Sequence, residues 1–89
     1  MIVKYSPVFF KKLKKVNVRI RKSLKQRILL FSRNPYDPQL NNHVLKREYK
    51  GQRSIDIAAD LRALYTEKRE GKNTVAYFVT LGTHRELYK

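Results

Sequence analysis

Apolar residues recur along this chain with two different periods, and the change of period divides it. Val16, Ile20, Leu24, Ile28 and Phe31 follow one another at spacings of four, four, four and three, which is one stripe of a long amphipathic helix ending before Asn34-Pro35. Asn17 is placed to cap that helix. Upstream, Ser6-Pro7 reads as another helix start, with Ser6 as N-cap and Pro7 in the first turn, and Val8, Phe9, Phe10 and Leu13 give the short helix an apolar side. Met1 to Tyr5 alternates as a short strand does. From Arg53 the period falls to two: Ile55 and Ile57 point one way, Ser54 and Asp56 the other. A turn near Ala59 leads into Asp60-Leu61-Arg62-Ala63-Leu64-Tyr65, so Asp60, Arg62 and Leu64 are expected on one strand face. Glu70-Gly71-Lys72-Asn73 is a turn. Thr74 to Leu81 then returns with Val75, Tyr77, Val79 and Leu81 on one face and Ala76, Phe78 and Thr80 on the other, apolar on both sides as a central strand is. Asn34 to Gln52, with two prolines and Gly51, reads as a loop.

The pattern predicts one α+β domain over residues 1–89: an N-terminal strand and a two-helix hairpin packed on a mostly antiparallel sheet of about four strands. A chain of this length is expected to have a radius of gyration of about 12 Å and a thin core. No cysteine is present, so no disulfide or thiolate zinc site supports it, and a cytoplasmic setting is the simpler expectation. No apolar run approaches the roughly 20 residues that span a bilayer.

Charge changes the picture more than length does. Twenty-one Lys and Arg against seven Asp and Glu give a net charge of +14, and the first 36 residues hold eleven basic side chains and no acidic one. Such a chain repels itself unless a polyanion or an acidic partner meets it, and nucleic acid is the leading candidate. A basic helix face kept for solubility and an amphipathic helix on a membrane surface are the competing readings. The basic side chains singled out for RNA are Lys46, Arg47 and Lys50 in the loop, with Arg53, Arg85, Lys22 and Lys25.

Proton-transfer chemistry near neutral pH is restricted to His43 and His84. His84 follows Gly82 just past the last strand, with Arg85 and Tyr88 close behind, where side chains leave the pleat and can turn toward a cleft. Asp60 and Arg62 are either a local ion pair on a solvated sheet or a carboxylate beside a phosphate-gripping guanidinium. If His43 folds over the same sheet end, the set suits metal-free RNA cleavage: a base for the 2′-hydroxyl, a cation for the phosphorane and an acid for the departing 5′-oxygen.

The ordered set Asn34-Pro35, His43-Val44-Leu45, Lys50-Gly51, Arg53-Ser54-Ile55, Asp60 to Tyr65, and Phe78-Val79 through Gly82-Thr83-His84-Arg85-Glu86-Leu87-Tyr88 resembles the RelE/ParE toxin superfamily. It is most similar to the YafQ-type mRNA interferases, over nearly the whole chain. The resemblance implies a toxin of a type II toxin–antitoxin pair that cuts mRNA on the ribosome without a cofactor or metal, and a cognate acidic antitoxin as partner. It implies His43, Asp60, His84 and Tyr88 as active-site residues. By the same resemblance His84 is the general acid, His43 or Asp60 the base or its orienter, and Arg62 the charge stabiliser. Two positions depart from the pattern: Asp56 stands where YafQ-type toxins carry a histidine, and Thr80 where they carry an arginine. A ParE-like gyrase inhibitor and a non-catalytic RNA-binding module are the alternatives, and neither needs histidines at the sheet end.

Overall fold

The computed structural model describes residues 1–88. Strand β1 (Ile2–Tyr5) leads into helices α1 (Pro7–Lys14) and α2 (Val18–Arg33), and after a connection come β2 (His43–Val44), β3 (Arg53–Asp56), β4 (Leu61–Glu70), β5 (Asn73–Thr83) and a single helical turn, α3 (His84–Leu87). The strands form one sheet in the order β1-β5-β4-β3-β2. Strand β1 lies parallel to β5, and the other neighbours are antiparallel. The α+β class is as the periodicity predicts, with five strands rather than about four. The additional one is the two-residue β2, inside the stretch expected to be loop. The radius of gyration is 12.3 Å.

Local chemistry sets the helix ends where the sequence places them. Ser6 Oγ accepts from the Phe9 N–H at 3.0 Å with Pro7 in the first turn, and Asn17 Oδ1 accepts from Arg19 N–H at 2.7 Å. The two helices lay Phe9, Leu24 and Phe31 on one face of the sheet, against Ile55, Ala63, Tyr65, Ala76, Phe78 and Leu81. Phe31 meets Tyr65 and Phe78 edge-on, with ring centroids 4.9 and 5.3 Å apart. Gly71 takes φ +60° in the tight β4–β5 turn, a conformation that glycine adopts without steric cost.

Strand β5 departs from strict alternation. Leu64 pairs with Thr80 and Tyr65 with Phe78, which leaves Val79 as an extra residue in a β-bulge. Phe78 and Leu81, three apart, therefore both face the helices, whereas the alternating pattern put Leu81 with Val75 and Tyr77 on the opposite side. The bulge would orphan a carbonyl in the sheet, and Ser6 takes it up. Its hydroxyl donates to Val79 O while accepting from Phe9 N–H, and its own N–H donates to Phe78 O at 2.9 Å. One buried serine thus starts α1 and completes the bulge.

Ser6→Ala removes both hydroxyl bonds at a buried position, and a loss of about 1–3 kcal/mol is expected in urea unfolding. Ser32→Ala, which removes an exposed bond to Leu29 O within α2, is expected to stay within about 0.5 kcal/mol.

Candidate active site

Side chains directly opposite one another in an antiparallel sheet share a face, so the register arranges the face away from the helices into rows. One row reads His43, Ser54, Leu64, Thr80 across β2, β3, β4 and β5. The next reads Asp56, Arg62, Gly82. At Gly82 a Cβ would meet Leu87 at 3.3 Å, so the glycine allows α3 to fold back over the sheet end. Thr83 and Glu86 close that turn as a capping box, with Thr83 N–H donating to Glu86 Oε1 at 2.8 Å and Glu86 N–H to Thr83 Oγ1 at 3.2 Å.

These elements enclose an open cleft of about 360 Å³, lined by Asn41, His43, Leu45, Ser54, Arg62, His84 and Tyr88. Of the five residues singled out for catalysis, His43, Arg62, His84 and Tyr88 meet there. Asp60 does not line it. It lies exposed in the turn before β4 rather than on the strand beside Arg62, and it reaches the site through its backbone: Asp60 O accepts from His84 N–H at 3.3 Å.

The partner of Arg62 is Asp56, opposite it on β3, with Nε 2.9 Å from Oδ1. The contact is ionic, since the N–H is not aligned on the oxygen as a hydrogen bond requires. Nη1 of the same guanidinium donates to Ala58 O at 3.2 Å and Leu61 O at 3.3 Å. Arg62 is thereby tied both to its neighbouring strand and to the turn whose Asp60 carbonyl holds His84.

His43 is fixed by its neighbours. The Asn41 carbonyl, 2.8 Å from Nδ1, can only accept, so Nδ1 carries the hydrogen and the lone pair of the neutral ring is on Nε2. Asn41 itself adopts a left-handed φ of 47°. Asn42 anchors the segment: its amide nitrogen donates to Tyr65 Oη at 2.7 Å and Pro35 O at 2.9 Å, and its oxygen accepts from Arg53 Nε at 2.8 Å. Burial raises the Tyr65 phenol above the usual tyrosine value, with the Asn42 bond and Arg53 pulling in the opposite direction. On the other wall the His84 and Tyr88 rings lie 4.7 Å apart. Ser54 Oγ, fully buried, and the Tyr88 hydroxyl, also buried, have no hydrogen-bond partner among the described residues, and both residues line the cleft.

Sequence reasoning did not single out Asn41, Asn42 or Ser54. A buried serine reads as any strand residue, and two asparagines in a loop read as turn formers. The RNA-directed cations divide among surfaces. Lys46 and Arg47 border a second depression beside the cleft. Lys50 and Arg85 are exposed. Arg53 turns to the opposite sheet face, where it is bound to Asn42 and lies over the Tyr36 ring at 5.4 Å. Lys22 and Lys25 belong to the helix layer, on the far side of the sheet from the cleft. Among the described residues no group of three or more His, Cys, Asp or Glu converges to hold a metal ion, and no helix is long and apolar enough to cross a membrane.

Asp56→Ala leaves a partly buried guanidinium unpaired and loosens the turn, so a stability loss of about 1–3 kcal/mol is expected, with faster hydrogen exchange at the His84 amide. Unchanged exchange there would separate the ion pair from the placement of His84.

The same architecture occurs in solved toxins. YafQ from E. coli strain BL21(DE3) superposes with a TM-score of 0.79 at 24% identity, covering 98% of this chain and 97% of that one. The E. coli DinJ–YafQ toxin–antitoxin complex gives 0.73 at 25%, with 98% and 96% covered, and a RelBE toxin–antitoxin complex from Mycobacterium tuberculosis gives 0.73 at 20%, with 93% and 96% covered. Comparison with curated protein sequences returns no match. The family model for the bacterial YafQ toxin of type II toxin–antitoxin systems matches residues 1–89. With the whole length matched and the fold shared, the chain belongs to the YafQ family of type II toxins.

Proposed function

We propose that this toxin is a metal-independent endoribonuclease that cuts mRNA on the ribosome by attack of the 2′-hydroxyl on the adjacent phosphate. The observation that carries the reading is the convergence of two imidazoles, a guanidinium and a phenol on one cleft at the open face of the sheet. His43, with its lone pair on Nε2, accepts the 2′-hydroxyl proton as the 2′-oxygen bonds to phosphorus. Arg62 offsets the charge that builds on the phosphorane oxygens. His84 donates a proton to the 5′-oxygen as the phosphorus–oxygen bond breaks, leaving a 2′,3′-cyclic phosphate and a 5′-hydroxyl. Tyr88 packs against His84 and orients it. Asp60 acts as a positioning residue through its carbonyl on His84 N–H.

The two departures from the family pattern fit this assignment. Thr80 lies at the β5 end of the His43 row, where it supplies no cation, and Arg62 provides one from the adjoining row. Asp56 holds that arginine. The net charge of +14 suits ribosomal RNA, and an acidic antitoxin that covers the basic surfaces is the natural counterpart, as the DinJ–YafQ complex pairs a toxin of this fold with an antitoxin.

His84→Ala is expected to abolish growth arrest and mRNA cleavage while ribosome binding stays nearly intact. Toxicity at full strength in that variant would take His84 out of the mechanism. For Arg62→Ala, a loss of single-turnover cleavage on the order of 10²-fold or more is expected, exceeding any loss of binding. Equal losses would make the arginine an anchor only.

A further inference from the structure

Beside the cleft, across Tyr88, lies a second depression of about 230 Å³ lined by Lys46, Arg47, Glu48, Tyr49, Leu87 and Tyr88. It is smaller than the roughly 300–1,000 Å³ of drug-sized pockets, which suits a single nucleobase. Its aromatic wall is held in place. The Tyr49 hydroxyl donates to Leu87 O at 2.6 Å, and the Tyr49 and Tyr88 rings meet edge to face at 5.7 Å and 83°. Tyr88 lines both hollows, so the depression adjoins the cleft in which Arg62 stands, and its aromatic wall is of the kind on which unpaired bases stack. The rim is unusual in charge. Lys46 and Arg47 suit the backbone, yet Glu48 stands between them and Tyr49 and forms no ion pair with any described residue. A lone carboxylate facing a polyanion is unfavourable unless it meets hydrogen-bond donors. Arg47 is also held at φ +58°, a left-handed conformation uncommon for a residue with a side chain, and such strain gathers at ligand clamps.

We infer that this depression is a guanine-selective subsite for the nucleotide beside the scissile phosphate. Guanine presents two adjacent donors, N1–H and N2–H, that match a carboxylate in bidentate fashion. Adenine and cytosine offer one exocyclic amine, and uracil presents carbonyl acceptors on either side of a single N–H. Tyr49 and Tyr88 stack or flank the base, Glu48 reads its Watson–Crick edge, and Lys46 and Arg47 hold the strand. The inference rests on the ribonuclease reading only for RNA as the ligand.

Binding of the trinucleotides AGA and AUA, each with a 2′-deoxy central sugar so that no cleavage occurs there, tests it by NMR titration. AGA is expected to bind at least about tenfold more tightly than AUA, with shifts at Glu48 and Tyr49, and Glu48→Gln is expected to bring the ratio below about threefold. Equal affinities in the wild type, or a ratio that survives Glu48→Gln, would overturn the assignment. A protein that prefers AGA but leaves ribosome-bound mRNA intact keeps this subsite and removes the nuclease reading. One that cuts mRNA yet binds both trinucleotides alike does the reverse.

Discussion

A single inserted residue, Val79, governs how the last strand serves both the core and the site. The bulge returns Leu81 to the helix side alongside Phe78 and sends Thr80 and Gly82 to the open side, opposite Leu64 and Arg62. Without that step β5 would carry Leu81 out of the core, since a slip of one residue exchanges the faces of everything beyond it. The step is sustained by Ser6, whose hydroxyl serves the bulge carbonyl and the first turn of α1 together. The start of the chain thus fixes the facing of its end.

From that facing follows the layout of the cleft. Gly82 admits α3 over the sheet end, and the α3 capping box sets the turn that presents His84 and Tyr88. Arg62 stands at the junction. Asp56 holds one edge of its guanidinium, and the carbonyls of Ala58 and Leu61 hold another. The same turn reaches His84 through Asp60 O. A carboxylate at position 56 lowers the positive potential beside the cleft and in return fixes the direction of its central cation. For the phosphate contact proposed for Arg62, direction counts along with charge.

Much of this was readable in the sequence wherever one residue type decides a local outcome. Ser6-Pro7 and Asn17 start the helices, Asn34-Pro35 ends the second, and Gly71 turns the last hairpin, because caps and turns depend on the chemistry of one or two side chains. Strand ends place Arg62, His84 and Tyr88 near one end of the sheet, whereas His43 joins them only if its loop folds over, which position alone does not decide. Registers did not. Nothing in the run Phe78-Val79-Thr80-Leu81 marks Val79 as unpaired, since the bulge is defined by what lies opposite on β4 and by a serine 73 positions away. For the same reason Arg62 looked like a partner for Asp60, two residues distant, when the sheet set Asp56 across from it. The pattern reads His43 as loop, yet two residues suffice to pair it with β3, because Asn42 holds the connection to Tyr65, Pro35 and Arg53.

The proposed chemistry needs His43 and His84 to act as base and acid in one cleft. The most direct test is the pH dependence of single-turnover mRNA cleavage on purified ribosomes, for the wild type and for His43→Ala and His84→Ala. A base and an acid acting together give a bell-shaped profile, with the acidic limb lost from the residual rate of His43→Ala and the alkaline limb lost from that of His84→Ala. A wild-type profile without two limbs, or one whose limbs persist in both variants, would contradict it.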